Sequence, residues 1–202
     1  MSKIKLFSGM DFSGKTTIIN GISEKMPNTF KVKKKFLTPI DLIENVRKRD
    51  TWLSPEEWKP LLQENIQKDI ENYKEDGLVL LDSLWLIKYL ASKIEKSDKD
   101  DEEEIFVLKK LLKEYPNMDS FYITASMEER IKRFYEREKM GKELTGSDKL
   151  IMDINRFEKR EKIYKKLVLD FFPNTKIIDT TNLSQEETIK LIIKDKGFIK
   201  DT

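Results

Sequence analysis

The chain of 202 residues contains no cysteine and no histidine. The first absence excludes disulfides and thiolate metal sites. The second removes histidine as a base or metal ligand, so Asp, Glu, Lys and Arg carry whatever charged chemistry the protein performs. No apolar run reaches membrane-spanning length. The start, Met1-Ser2-Lys3-Ile4-Lys5, lacks the apolar core and cleavage site of a signal peptide. No membrane partner is expected, and the expected location is the cytoplasm. Charged residues make up 38% of the chain, yet the signs nearly cancel at a net +2, which argues against a dedicated nucleic-acid binder. No linker composition divides the chain, and its length suffices for one well-buried domain over 1–202.

Glycine is scarce, with seven in the chain, so a pair spaced five apart near the N-terminus stands out. Gly9-Met10-Asp11-Phe12-Ser13-Gly14-Lys15-Thr16 fits the phosphate-binding pattern G-x-x-x-x-G-K-[ST]. Ile4 to Phe7 before it reads as a buried strand. Thr16-Thr17-Ile18-Ile19 after it opens a helix. In that context the loop's amides, with the positive end of the helix, cradle phosphate oxygens. Lys15 supplies a mobile charge for the β- and γ-phosphates, and the Thr16 hydroxyl suits Mg²⁺. The pattern therefore predicts binding of a nucleoside triphosphate, ATP, with Mg²⁺.

Strand and helix signals then alternate. Phe30–Leu37 reads as a second strand and residues 40–49 as a short helix. A capping box at Ser54–Glu57 starts a longer helix that ends by Gly77. Leu78-Val79-Leu80-Leu81-Asp82 does not alternate, as expected of a central parallel strand covered on both faces. Helices over 84–95 and 102–115, a strand at 120–124, and a helix from Ser126 to about Lys139 follow. Gly141 and Gly146 bracket a polar loop. A long helix over 148–171, a strand at 176–179 and a last helix capped at Ser184 complete the chain. This is an α/β pattern with a mostly parallel sheet. Its ligand side lies beyond the C-terminal strand ends, where the glycine loop, Asp82, Thr124 and Thr180 converge.

The loop G-x-D-x-x-G-K-T-T, the third strand ending in Asp82, and the arginine-bearing helix before a glycine-flanked loop resemble the thymidylate kinase branch of the nucleoside monophosphate kinases. That resemblance implies a P-loop NTPase fold: three layers, α/β/α, around a five-stranded parallel sheet of order 2-3-1-4-5, with a helical lid at about 137–148. It implies phosphoryl transfer from Mg²⁺-ATP to a nucleotide, nucleoside or similar small acceptor, and it admits a homodimer. The nucleotide-binding set would be Gly9, Asp11, Phe12, Ser13, Gly14, Lys15, Thr16, Thr17, Arg133, Thr180 and Asn182. Lys15, Asp82, Arg133 and Arg137 would serve catalysis, and Thr16 and Asp82 the metal. Asp11 would approach the acceptor's sugar. In that family an arginine follows the third-strand Asp and grips the acceptor's phosphate; here the residue is Ser83. The second strand ends in Leu37-Thr38-Pro39 where the family has Thr-Arg-Glu-Pro. Either Arg47, Arg49 or Lys33–Lys35 compensates, or the acceptor carries no phosphate.

The residues alone leave alternatives open. Asp82 caps the next helix or serves the metal and the acceptor hydroxyl, and the two roles are compatible. Asp11 is a solvated loop acid or an acceptor contact. Arg130, Arg133 and Arg137, at i, i+3 and i+7, form one stripe that is either a salt-bridged surface or a phosphate-facing row. A polynucleotide end as acceptor, or an ATP-binding module without transfer activity, are the competing functions.

Overall fold

A computed structural model of the chain describes residues 4–27, 30–34, 78–97, 118–142 and 148–194, with residues 60, 102, 105, 106, 109, 113 and 144 standing singly between them. The helices expected over 40–49 and from Ser54, together with Arg47, Arg49 and Lys35, lie outside the described residues. So do the side chains of Lys33 and Lys34.

Five strands form one parallel sheet: β1 (Ile4–Ser8), β2 (Phe30–Lys34), β3 (Leu78–Asp82), β4 (Met118–Thr124) and β5 (Lys176–Asp179). The strands β3-β1-β4-β5 lie side by side, and β2 adds outside β3. Five described helices accompany them: α1 (Lys15–Lys25), α2 (Trp85–Ser97), α3 (Met127–Lys139), α4 (Ile154–Phe171) and α5 (Gln185–Ile193). Because side chains alternate along a strand, β1, β3 and β4 each feed two cores. Ile4, Leu6, Val79, Leu81 and Tyr122 pack with Ile87, Leu90 and Ala91 of α2 and Phe157, Tyr164 and Leu167 of α4. Phe7, Leu80, Phe121, Ile123 and Ile178 pack with Ile18, Ile19 and Ile22 of α1 and Ile189 and Ile192 of α5. The sheet is thus covered on both faces, which is why the inner strand β3 reads as a continuous apolar run.

The expected helix over 148–171 is two elements. Asp148–Met152 is a 3₁₀ turn, and α4 begins at Ile154. Asp153 causes the break: its carboxylate accepts the Arg156 N–H at 3.2 Å and caps the new helix. The capping box at Ser184 is complete, with Ser184 accepting from the Glu187 N–H and the Glu187 carboxylate accepting from the Ser184 N–H. At Ser126 only half of the box forms, because the Glu129 carboxylate turns instead to Arg133 at 3.0 Å.

One ion cluster ties α2 to α4. Glu95, 4% exposed, accepts from Arg156 at 2.9 Å and from Arg160 at 2.6 Å. Burial would raise its pKa, but the two guanidinium bonds outweigh burial and hold the carboxyl below its ordinary value.

Candidate active site

The loop from Gly9 to Gly14 leaves β1 and enters α1, and its backbone departs from ordinary torsions where the motif requires it. Gly9 has φ 144°, and a Cβ there would lie 2.2 Å from the Ile123 carbonyl oxygen of β4. Gly14, φ 91°, sits at the start of α1. Phe12 and Ser83 are the non-glycine residues at positive φ, 61° and 67°, among the described residues. Such torsions cost on the order of 1–2 kcal/mol in an L-residue; Phe12 lines the cavity described below, and Ser83 directly follows its wall residue Asp82.

Arg130 and Arg133, from consecutive turns of α3, hold this loop. Arg130 is completely buried. It donates to the Ala125 carbonyl at 2.8 Å, the Asp11 carbonyl at 3.1 Å and Thr124 Oγ1 at 2.9 Å. It also pairs with Glu161 of α4 and lies over the Phe157 ring at 5.4 Å. Arg133 donates to the Phe12 carbonyl at 3.2 Å, to Thr180 Oγ1 and the Thr180 carbonyl, each at 3.1 Å, and to Glu129 at 3.0 Å. The Thr180 hydroxyl in turn lies within bonding distance of the carbonyls of Ser13, at 3.1 Å, and Thr124, at 3.0 Å, between which its one hydrogen is shared. Within the loop, the buried Lys15 ammonium donates to the Met10 carbonyl at 3.0 Å.

Across from the loop stands the end of β3. The Thr16 hydroxyl donates to Asp82 Oδ2 at 2.9 Å, which joins the last residue of the phosphate motif to the third-strand acid. The two are hard oxygen donors placed side by side, the kind of partial set that Mg²⁺ uses together with phosphate oxygens and water. No cluster of three or more acidic or other metal-ligating residues occurs among the described residues. Ser83 is buried and turned inward; its N–H donates to the Phe7 carbonyl at 2.9 Å and its hydroxyl lies 3.2 Å from Asp82 Oδ1.

These groups border a cavity of about 420 Å³. Asp11, Phe12, Gly14, Lys15, Thr16 and Thr17 form its floor, and Asp82 and Lys88 one wall. Arg133, Glu136, Arg137, Met140, Lys142 and Asp148 close the other side. Arg137 pairs with Asp148 at 3.3 Å and stands 5.8 Å from the centre of the Phe12 ring. Gly9, Ser13 and Thr180 lie behind the cavity rather than on its wall. Asn182 is exposed and off the cavity. Of the expected lid, residues 143 and 145–147 lie outside the described residues.

Sequence reasoning missed two features. One is the burial of Arg130. The other is Lys88, whose ammonium lies 3.3 Å from Asp11 Oδ1. Burial would lower the Lys88 pKa; the attractions of Asp11 and Asp82 outweigh it and hold the group above its ordinary value. A signal was present for both. Lys88 falls at i+4 from Leu84 and i−3 from Ala91, inside the apolar stripe of α2, and Arg130 falls between Met127 and Phe134. A charge in the middle of an apolar stripe needs a buried partner.

The architecture has counterparts among solved structures. Thymidylate kinase from Candida albicans superposes with a TM-score of 0.69, at 19% identity over 100% of this chain and 96% of that one. The fold is that of the P-loop nucleoside monophosphate kinases. Deoxyadenosine kinase from M. mycoides, solved with bound dATP, shares this P-loop kinase fold with a TM-score of 0.57, at 17% identity over 96% of this chain and 98% of that one. The YorR protein of Bacillus subtilis, in complex with phosphorylated GDP, has a TM-score of 0.57 at 15% identity over 94% and 93%. No family model and no curated protein sequence matches the chain significantly. At such identities the kinase fold is what the likeness establishes. No described helix is long and apolar enough to cross a membrane.

Proposed function

We propose that the protein is a P-loop kinase that transfers the γ-phosphoryl group of Mg²⁺-ATP to a nucleotide, nucleoside or similar small acceptor. The observation that carries this reading is the 2.9 Å bond between Thr16 and Asp82 beside the glycine loop. A loop that only bound an anion would have no use for an acid at that point. Phosphoryl transfer needs positioned charges more than covalent chemistry, and a chain without histidine can supply them.

In this reading the amides from Asp11 to Thr16 bind the β- and γ-phosphates, and Lys15 leaves the Met10 carbonyl for a phosphate oxygen. Thr16 and Asp82 hold Mg²⁺, which when bound neutralises charge on the phosphate oxygens. Arg133 has its donors engaged by Phe12, Thr180 and Glu129, so it organises the nucleotide side and offers its flat face. Arg137, held by one carboxylate at the cavity edge, is the arginine able to swing onto the transferring group. Asp82 also orients the acceptor's attacking oxygen. The kinases among the similar folds act within the same substrate class, which adds weight to a small acceptor over a polynucleotide end.

The test is ADP release from Mg²⁺-ATP in the presence of nucleosides, nucleoside monophosphates and short oligonucleotides in turn. Turnover with at least one small acceptor is expected. ATP bound but consumed with none of them would contradict the proposal and favour a non-catalytic module.

A further inference from the structure

Two groups hold Arg137 at the cavity edge. One is the Asp148 carboxylate, which accepts from a single guanidinium nitrogen at 3.3 Å. The other is the Phe12 ring, whose centre lies 5.8 Å from the guanidinium carbon. A guanidinium carries five N–H donors, and an aromatic face attracts its charge without occupying any of them. A carboxylate alone would hold the group by a directed bond that must break before the group moves. The ring's attraction sets no hydrogen-bond direction, so the donors can turn from Asp148 towards a ligand while the charge stays beside the loop.

The position of that ring is itself built. Phe12 stands at φ 61°, in the left-handed region that a bulky side chain seldom takes. Three residues of α3 attend it. Arg133 donates to its carbonyl at 3.2 Å, the buried Phe134 ring meets its ring edge-on at 5.5 Å, and Arg137 stands over its face. Phe12 also lines the cavity together with Lys15 and Thr16. Strained residues held in place by their surroundings cluster at functional sites. Here the bend that shapes the amide cradle also sets a ring under an arginine.

We propose that Phe12 is a positioning residue for phosphoryl transfer, its ring the seat that keeps the Arg137 guanidinium at the phosphate end of the cavity. The inference rests on the kinase reading above. The ring acts through Arg137, so its effect appears where the arginine's charge is used, in the transition state, and little in the binding of ATP itself.

The test measures kcat and the KM for ATP in wild type, Phe12→Leu, Phe12→Tyr, Arg137→Met and the double variant Phe12→Leu with Arg137→Met. The acceptor is the nucleoside or nucleoside monophosphate that wild type turns over fastest. Leucine keeps apolar bulk on the same strained backbone but has no π face; tyrosine keeps the face. Phe12→Leu should lower kcat by about 3- to 30-fold, the scale of a cation–π contact, with the KM for ATP changed less than about twofold. Phe12→Tyr should recover most of the loss. In the Arg137→Met background Phe12→Leu should cause no further loss, because a seat has no effect without its occupant. Calorimetry gives a readout apart from turnover. Mg²⁺-ADP with aluminium fluoride and the acceptor, a mimic of the transferring group, should bind Phe12→Leu more weakly than wild type by a similar factor. Mg²⁺-ADP alone should bind both alike, which also shows that the variant is folded. Additive losses in the double variant, an unchanged kcat in Phe12→Leu, a loss confined to the KM for ATP, or a loss in Phe12→Tyr as large as in Phe12→Leu would overturn the assignment of Phe12 while leaving the kinase reading intact. Absence of ADP release by wild type with every nucleoside and monophosphate would defeat the kinase reading, and this inference with it.

Discussion

On the β4–β5 side, the glycine loop is fastened by Arg130, Arg133 and Thr180, which together bond the backbone at Asp11, Phe12 and Ser13. On the β3 side, the contacts among the described residues include Thr16 to Asp82 and Lys88 to Asp11. In the first set Arg130 and Thr180 are buried and Arg133 is half-buried, and all three bond carbonyl oxygens of the backbone. The second joins side chains whose atoms a metal ion or an acceptor can claim. The difference separates scaffold from working parts: the half that must hold its shape against a polyphosphate is braced through its backbone, and the half that must receive something is closed by exchangeable bonds.

This contrast can be broken most severely at Arg130. Arg130→Met removes four bonds and leaves Glu161 facing a core with no counter-charge. A stability loss of about 3–5 kcal/mol is expected in urea unfolding. A loss below about 1 kcal/mol would mean that the brace is incidental.

Gly9→Ala comes next. Its Cβ would meet the Ile123 carbonyl oxygen at 2.2 Å, on a backbone at φ 144°. A loss of about 2–3 kcal/mol is expected, together with weakened ATP binding. Calorimetric titration with ATP checks both the folded fraction and the affinity.

Glu95→Gln sharpens the other half, because Glu95 tethers α2, the helix of Lys88, to α4. A smaller loss of about 1–2 kcal/mol is expected at pH 7. The folded pKa of Glu95 is lowered, so its contribution is full above the ordinary carboxylate range and disappears as pH falls through the lowered value. The stability gap between wild type and Glu95→Gln should stay constant from neutral pH down to the ordinary carboxylate range and close as pH falls further, through the lowered value. A gap that does not change on acidification would show that the charge of Glu95 is irrelevant.

The same contrast explains what could be read in advance. Gly9, Gly14, Lys15 and Thr16 were legible because the motif fixes a local backbone path, and the strand before and the helix after it share one short stretch of chain. Asp82 was legible because it closes an apolar run. Arg130 was read only as one member of a stripe, because its role depends on Glu161 and on the Asp11 carbonyl of the glycine loop, 119 residues earlier. Lys88 was missed for the same reason: its partner Asp11 lies 77 positions away, and helical periodicity carries no information about which loop a helix will face. The break at Asp153 shows a local limit too. An apolar stripe continues through a capping residue, and only the side-chain bond to the Arg156 N–H decides where the helix starts.

The most direct measurement of the central claim is the rate of ADP release from Mg²⁺-ATP, at saturating acceptor, in wild type and in Lys15→Ala. If the loop amides and the Lys15 ammonium hold the transferring phosphates, kcat falls by about 10²- to 10³-fold while the folded state is retained. Wild-type turnover in Lys15→Ala would contradict the account.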